Sequence, residues 1–578
     1  MIMIKKIFSI VLILFGIVAT AQIPKGEMNV ETEVFPKEIV ELSINSDVFL
    51  AGELLHYKAF IRNASKQQSQ LSKIVYVSLR NQKDSLVFNH KLKVVNSSAN
   101  GDFFIPSNLK TGVYKLIGYT NFSKNNAADA FVQKDVYIVN TFIKDGVSTK
   151  IGDTIFMTAS AKKDFKASEN EANVEGLKIS LNKETFGLRE KVIINLQNTL
   201  KNTTGDYLLS VRKINPVDIS GKIPTATNAV SSDKFYVPEL RGELISGVVL
   251  SNVDNSAITN KEVALTIPGR DYIFKIAKTN SNGRFFFSVS GYYNSENSIV
   301  QLYGNESDKN SYKVILDKKE LPIQKNESYF LKLDVALKDW LSERSIQLQV
   351  ENAYFDTKKD SILSTKINPY FYEELGTVFK LDDYTRFPSV RETFVEVITL
   401  AAIRGTGANA KFVINNEYDP NQIAKFNDLA PLVLMDGILI QDNSELLNYS
   451  ARDIDNIRVI NYPYRYGSKI YSGIIAVETK KGGFVPNLTK DYIEEINLPP
   501  TIGQKKYYRP DYSNAVLTRI PDYRVQLLWE PKVEFSEKGY SATFYTSDVS
   551  GTYLISMEGF NKKGNYMVIK KYFTVIEE

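Results

Sequence analysis

Short runs of β-branched and aromatic residues, closed off by turn residues, recur along most of this 578-residue chain and restrict it to sheet-based architectures. Residues 54–61 and 73–79 are the first clear cases. Asn100-Gly101-Asp102 and Lys110-Thr111-Gly112 read as turns between the strands that follow. A sheet with one apolar face needs a second layer to cover it, so this spacing predicts a β-sandwich over residues 34–142.

An internal echo extends the pattern. Residues 42–53 align without a gap on residues 179–190, with Ser43 on Ser180, Asn45 on Asn182, Phe49 on Phe186 and Glu53 on Glu190. This predicts a second sandwich over 170–235; two unrelated strand–turn–strand pieces are the alternative. The polar residues 159–175 read as a linker. A third sandwich is expected over 238–318, from strand-like runs at 244–250, 261–266 and 284–289 with a turn at Ser281-Asn282-Gly283. Residues 319–382 form a connecting region, with a short helix expected at 369–375. The pattern then changes over 383–484. Ser389 reads as the N-cap of a helix, Asp436-Gly437 as the turn of a β-hairpin, 448–455 as a helical turn, and 457–460 and 474–479 as strands. Helices among strands predict an α+β domain. Residues 505–578 return to β and predict a last sandwich.

The N-terminus predicts export. Lys5 and Lys6 precede the apolar run 7–18, and Ala19-Thr20-Ala21 supplies small residues for cleavage, giving a signal peptide over 1–21 cut between Ala21 and Gln22. The apolar run of about 12 residues is too short to span roughly 30 Å of hydrocarbon. No later stretch reaches roughly 18 uninterrupted apolar residues, so the mature chain is expected to be soluble or peripherally attached. The length beyond residue 21 suits about four domains of roughly 150 residues. The chain has no cysteine, which excludes a disulfide framework, a thiolate metal site, a thiol nucleophile and a lipid anchor on cysteine. The net charge of +5 falls by two without Lys5 and Lys6, and no basic stripe tracks a phosphate backbone, so nucleic acid is not an expected partner.

Little in the sequence points to catalysis. Only His56 and His90 are present, both in predicted strands, so a histidine-based triad or zinc site is nearly unavailable. Gly405-Thr406-Gly407-Ala408-Asn409-Ala410 mimics the start of a dinucleotide fingerprint, but strand-like residues follow where a helix should begin, and a hairpin turn explains it better. Asp436 is explained by its turn, and Asp522 and Asp548 by a strand end and a loop. A distant carboxylate pair for glycoside cleavage stays open. No catalytic, cofactor or metal residues are assigned. The candidates for partner contact are Tyr462, Tyr464, Arg465 and Tyr466, because exposed Tyr and Arg are favoured at binding hot spots; packing on the domain's own surface is the alternative.

Three stretches resemble known families. Residues 47–53, 71–77, 101–106 and 111–116 look like a macroglobulin-type module of the bacterial α-2-macroglobulin-like proteins. The thioester of true macroglobulins needs a cysteine, so covalent trapping of proteases is not implied. Residues 245–289 are similar to the carboxypeptidase regulatory-like domain, a sandwich without catalytic residues. Residues 431–438 with Asp436 and Gly437, then 453–459, Tyr466-Gly467-Ser468, the run from Gly473 to Val477 and 479–483, resemble the plug domain of TonB-dependent receptors. A receptor plug sits inside a barrel of about 22 strands, and only residues 485–578 follow. The combination resembles multidomain envelope proteins of the Bacteroidota. It implies a mainly β chain of tandem Ig-like, macroglobulin-type sandwiches carrying one α+β plug-like domain. The expected role is non-enzymatic binding of outer-membrane or periplasmic proteins, in the periplasm or at the outer membrane or cell surface of a Gram-negative bacterium. The alternatives are a surface binder of glycans or host proteins, and a hydrolase with a hidden carboxylate pair.

Overall fold

The computed structural model describes residues 37–577 apart from 82, 127–132, 145–154, 162–170, 173–175, 199–203, 222–234, 270–271, 305–308, 320, 322–328, 364–368, 416–428, 468, 487, 514–516, 534 and 536–538. The expected cleavage site at Ala21 and Gln22 lies outside the described residues. The chain is mainly β, as its patterning predicts. No helix of the described residues is long and apolar enough to cross a membrane.

The first sandwich sets strands Glu38–Ile44, Leu54–Asn63 and Ser98–Phe104 against a five-stranded sheet. That sheet runs Val48–Leu50, Gln133–Val139, Gly112–Tyr119, Ile74–Arg80, Leu86–Lys93. Phe49, Leu55, Val75, Leu116 and Ile138 fill the space between them. Asn100-Gly101-Asp102 is not the expected turn but the middle of a strand, with Gly101 paired to Tyr57. The glycine is there for space, since a Cβ would lie 2.7 Å from Tyr57 Cζ.

The second sandwich corrects the expected order of modules. Leu177–Leu181 and Lys191–Asn198 share a sheet with Tyr540–Tyr545. Gly205–Lys213 lies between Gln526–Val533 and Gly551–Asn561, with Tyr566–Val575 beyond. Segments 170–235 and 505–578 are therefore two parts of one module. The physical reason is coverage: three strands cannot enclose their own apolar face, so Val192, Ile194 and Val211 meet Phe544, Ile555 and Phe573.

This split module copies the first one strand for strand. In both, the first strand of a three-stranded sheet is followed by a short crossing strand, Val48–Leu50 or Thr185–Phe186, that pairs in parallel with the last strand of the module. The residues that coincide in sequence keep their bonds. Asn45 Nδ2 donates to Leu54 O at 3.1 Å while its Oδ1 accepts from His56 N at 2.9 Å. Asn182 does the same with Lys191 O at 3.4 Å and Ile193 N at 2.8 Å. Glu53 accepts from Leu50 N, and Glu190 from Gly187 N. A tyrosine hydroxyl bonds the carbonyl four residues back in each copy, Tyr114 to Lys110 and Tyr553 to Val549, both at 2.7 Å. The echo is thus a true repeat. Residues 214–525 enter the second copy at the point where the first has only the short turn after Ile74–Arg80.

The supposed linker begins inside a strand, Ile155–Ala161, which pairs with Val217–Ser220 and Tyr329–Leu333. The connecting region also supplies the 16-residue helix Lys338–Ala353. Residues 369–375 form a turn, not a helix: Glu373 N bonds Tyr370 O, Leu375 N bonds Tyr372 O, and Gly376 at φ 74° redirects the chain. The third sandwich sets Arg284–Val289, Glu243–Ser251 and Tyr312–Leu316 against Ile273–Lys278, Glu262–Ile267 and Asn297–Tyr303. Its second sheet is extended by Ile493–Asn497, so the module is completed from beyond the α+β domain.

Candidate functional site

The α+β domain carries the plug-like residues and the partner-contact candidates suggested by the sequence. Its sheet runs Thr377–Lys380, Ile454–Ile460, Ile474–Thr479, Leu432–Met435, Ile438–Leu439, so it starts a little before residue 383. Leu432–Met435 and Ile474–Thr479 are parallel, and their unbroken apolar runs follow from burial on both faces. Val433, Met435, Ile475 and Val477 face a core with Val390, Phe394 and Leu446. The alternate residues Leu432, Leu434, Ile474 and Ala476 face a second core with Phe274 and Tyr372. Ser389 caps the helix Val390–Glu396 as expected, accepting from Glu392 N.

Asp436-Gly437 forms the expected tight hairpin turn, with φ of 47° and 82°. Asp436 is buried and fully engaged. Its carboxylate accepts from Thr479 N at 2.7 Å, Thr479 Oγ1 at 2.6 Å and Phe484 N at 3.0 Å, which ties the turn to the loop after Ile474–Thr479. Gly437 rests on the third sandwich, where a Cβ would strike the Tyr272 ring. A Cβ at Gly473 would strike the Ile460 carbonyl oxygen, while Gly467 turns the hairpin between Tyr464–Tyr466 and Lys469–Tyr471 at φ 59° in open space. These residues build the domain; they do not form a reactive site. The Gly405–Ala410 stretch turns Ala401–Arg404 into Lys411–Ile414, as the hairpin reading expects.

The aromatic cluster is placed differently from the partner-contact reading. The Tyr466 ring packs, tilted, against Phe371 at 4.5 Å and Phe274 at 5.3 Å between ring centres, and its hydroxyl donates to Phe274 O. Tyr464 donates to Phe371 O at 3.0 Å, and Tyr462 joins the same core. Burial pushes the Tyr466 phenol up to about 12 and raises that of Tyr464 as well. Of the four, Arg465 alone is exposed. The cluster braces the α+β domain onto the third sandwich, because three rings so close to an apolar sheet face gain more from burial than from water. Replacing Tyr464 and Arg465 together by Ala is therefore expected to cost about 2 kcal/mol, nearly all from the tyrosine. Thermal melting of the single and double variants checks this division.

What the domain leaves open is an edge. Ile438–Leu439 abuts the third sandwich, with Gln301 Nε2 donating to Leu439 O at 3.0 Å. At the opposite side Thr377–Lys380 pairs inward with Ile454–Ile460, and no strand among the described residues pairs with its outer side. Thr377, Val378 and Lys380 are exposed there.

A second feature escaped the sequence reading. Glu53 of the first sandwich is buried between Arg212 of the second and Arg344 of the helix Lys338–Ala353. Arg212 Nη2 lies 3.1 Å from its Oε2, and Arg344 Nε and Nη2 lie 3.1 and 3.0 Å from its Oε1. Burial alone would raise the Glu53 carboxyl, but the two guanidiniums and its hydrogen bonds outweigh this and hold it below the usual carboxylate range. Glu53 stood out only as part of the echo, and nothing local to Arg212 or Arg344 pairs them with it. The histidines are strand residues. His90 Nδ1 meets Tyr57 Oη at 2.7 Å, and His56 stacks on Trp529 at 5.4 Å. Asp548 pairs with Arg189, and Asp522 with Arg524.

No family profile and no curated protein matches the sequence. Among solved structures, the chain aligns with trypsin-activated α-2-macroglobulin from Escherichia coli at 8% identity and a TM-score of 0.22, over 94% of this chain and 41% of that one. It aligns with methylamine-reacted α-2-macroglobulin from Salmonella at 8% identity and a TM-score of 0.24, over 94% and 40%. The chain thus spans less than half the length of these proteins. Scores this low carry no argument about shape or function.

Proposed function

We propose that this protein is a non-catalytic component of a Gram-negative envelope that docks an outer-membrane or periplasmic protein through its α+β domain, as an accessory part of a receptor, assembly or export complex. The observation that carries the reading is the open edge at Thr377–Lys380. Both faces of that sheet are covered by the chain's own cores and its other edge meets the third sandwich. An unpaired edge is a ready template for a partner strand, which gains main-chain hydrogen bonds along it. The sequence resemblance of this domain to receptor plugs, and of the first sandwich to macroglobulin-type modules, suits an envelope partner. Partner capture from detergent-solubilised envelopes, read by mass spectrometry, tests the idea. Val378 is 37% exposed, so Val378→Lys should leave the fold intact. A charge on an edge opposes strand addition, and partner recovery should fall roughly tenfold. Val253→Lys, on a fully solvated loop of the third sandwich, should change nothing. Equal recovery with all three proteins would remove the edge from the account.

A further inference from the structure

One sheet of the third sandwich has an apolar outer face that nothing among the described residues covers. In its central strand, Glu243–Ser251, Ile245 and Val249 point into the module's core, while Leu244, Val248 and Leu250 lie half-buried on the opposite face. Register sets Val248 between Arg284 and Ile315, Leu250 beside Lys313, and Phe286 beside Ser246. Phe286 and Ile315 are 47% and 44% exposed. Other outer faces of the chain are built differently. Lys178, Asn195, Gln197 and Thr543 make that of a second-sandwich sheet mostly polar. Where an outer face is apolar, it has a cover. Val48, Val113 and Tyr137 meet Met157 and Leu331, and Ala264 and Phe274, on the other sheet of the third sandwich, meet Tyr372 and Leu432. An antiparallel strand that faces water alternates apolar with polar residues, so apolar residues on both sides of Glu243–Ser251 mark a face made to be covered.

We propose that this face seats an amphipathic helix of a partner protein, about three turns long, with an acidic residue beside its apolar stripe. The size of the patch selects a helix. Three strands about 4.8 Å apart give a width of about 10 Å, and five residues at about 3.4 Å each give a length of about 17 Å. A single helix about 10 Å across covers that width, and about 11 residues rising about 1.5 Å each cover the length. Charge selects the acid. Of the charged side chains on the face, Arg284 is engaged by Asp317, and Lys313 pairs with no acid among the described residues. Acids of the adjoining loops are taken up locally, Asp254 accepting from Ser256 and Asp491 from Asn252. A second copy of the chain would bring another uncompensated lysine to the contact and no acid, since a two-fold interface sets the same patch on both sides. A helix with its apolar residues three and four apart meets Leu244, Val248, Leu250, Phe286 and Ile315, and a flanking carboxylate meets Lys313.

Fluorescence anisotropy of the full chain with a labelled amphipathic peptide of about 15 residues, leucines along one helical face and glutamates beside them, tests the proposal. The peptide should bind with one site per chain, and a scrambled peptide of the same composition, without the stripe, at least tenfold more weakly. Phe286→Glu with Ile315→Glu places two charges on the exposed face, so the melting temperature should hold while peptide affinity falls at least tenfold. Lys313→Glu, which leaves the apolar face untouched, should weaken this peptide and favour one with lysines in place of the glutamates, whether or not the double variant folds. Failure of the striped peptide to bind, or equal affinity for the scrambled one, overturns the proposal. Affinity unchanged in both variants puts the contact elsewhere. A dimer that the double variant dissociates in light scattering, or binding to phosphatidylglycerol vesicles that the same variant abolishes, assigns the face to a second copy or to a membrane and overturns the helix. None of these readouts depends on the strand edge at Thr377–Lys380.

Discussion

Glu53→Gln is expected to destabilise the folded chain by about 3–5 kcal/mol, because it leaves two buried guanidiniums without a counter-charge. The amide keeps the shape of the carboxylate and can still accept from one arginine, so the loss isolates charge from packing. Arg212 and Arg344 come from elements far apart in sequence, and the triad is the point where three bodies meet. Replacing Glu53, Arg212 and Arg344 together by Gln, Met and Leu should recover much of the loss, since an apolar substitute removes the desolvation cost with the pair. A pH series gives the same test a sign. The Glu53 carboxyl is depressed in the fold, so its contribution is complete above the ordinary value of 4.5 and is lost as pH falls through the lower folded value. His56 and His90 act in the same direction. Held neutral to about 3 and about 4, they take up protons only in the unfolded chain as pH drops below 6.5. The melting temperature should therefore fall steadily from neutrality towards acid, and a maximum near pH 5 would be inconsistent with these assignments.

Removal of residues 505–578 should disrupt much more than the end of the chain. It takes away Gln526–Val533, Tyr540–Tyr545, Gly551–Asn561 and Tyr566–Val575, and with them both strand neighbours of Gly205–Lys213, one of the two neighbours of Lys191–Asn198, and most of the core that covers Leu177–Leu181. A core that loses Phe544, Ile555, Met557, Ile569 and Phe573 forfeits about 2–5 kcal/mol for each large side chain, more than a typical domain's whole stability. It also loses the carbonyl of Pro531 and, by unfolding the second sandwich, the Asp206 carboxylate at 2.5 Å; these are partners of the buried Lys58 ammonium of the first sandwich. Hydrogen exchange should show residues 177–213 unprotected in the shortened chain, while the third sandwich and the α+β domain keep slow amides.

Much of this architecture was legible, and the failures share a cause. Alternation and turn chemistry located the strands of the first and third sandwiches, the Ser389 cap and the Asp436-Gly437 hairpin, because those signals are local. The echo between residues 42–53 and 179–190 also reported a real repeat, through side-chain bonds of Asn45 and Asn182 that each module needs at its crossing strand. Partnership over hundreds of residues was not legible. The pairing of Gly205–Lys213 with Gln526–Val533 leaves no local mark, since a strand reads the same whichever neighbour it takes. The same holds for Glu53, Arg212 and Arg344, and for Tyr464 and Tyr466, whose aromatic content suits an exposed hot spot and an internal brace equally well. Gly101 misled because glycine marks a turn when φ is positive and a crowded strand when a ring, here Tyr57, lies over it.

The central claim is that the second sandwich is one module interrupted by residues 214–525. It is tested by excision: residues 171–213 joined to 526–578 through a loop as short as residues 81–85 of the first copy. The shortened protein should be monomeric, with a β-type circular dichroism spectrum, dispersed amide signals and a single cooperative thermal transition. A molten or aggregating product, while the matching piece from 37–142 folds, would contradict the split-module account.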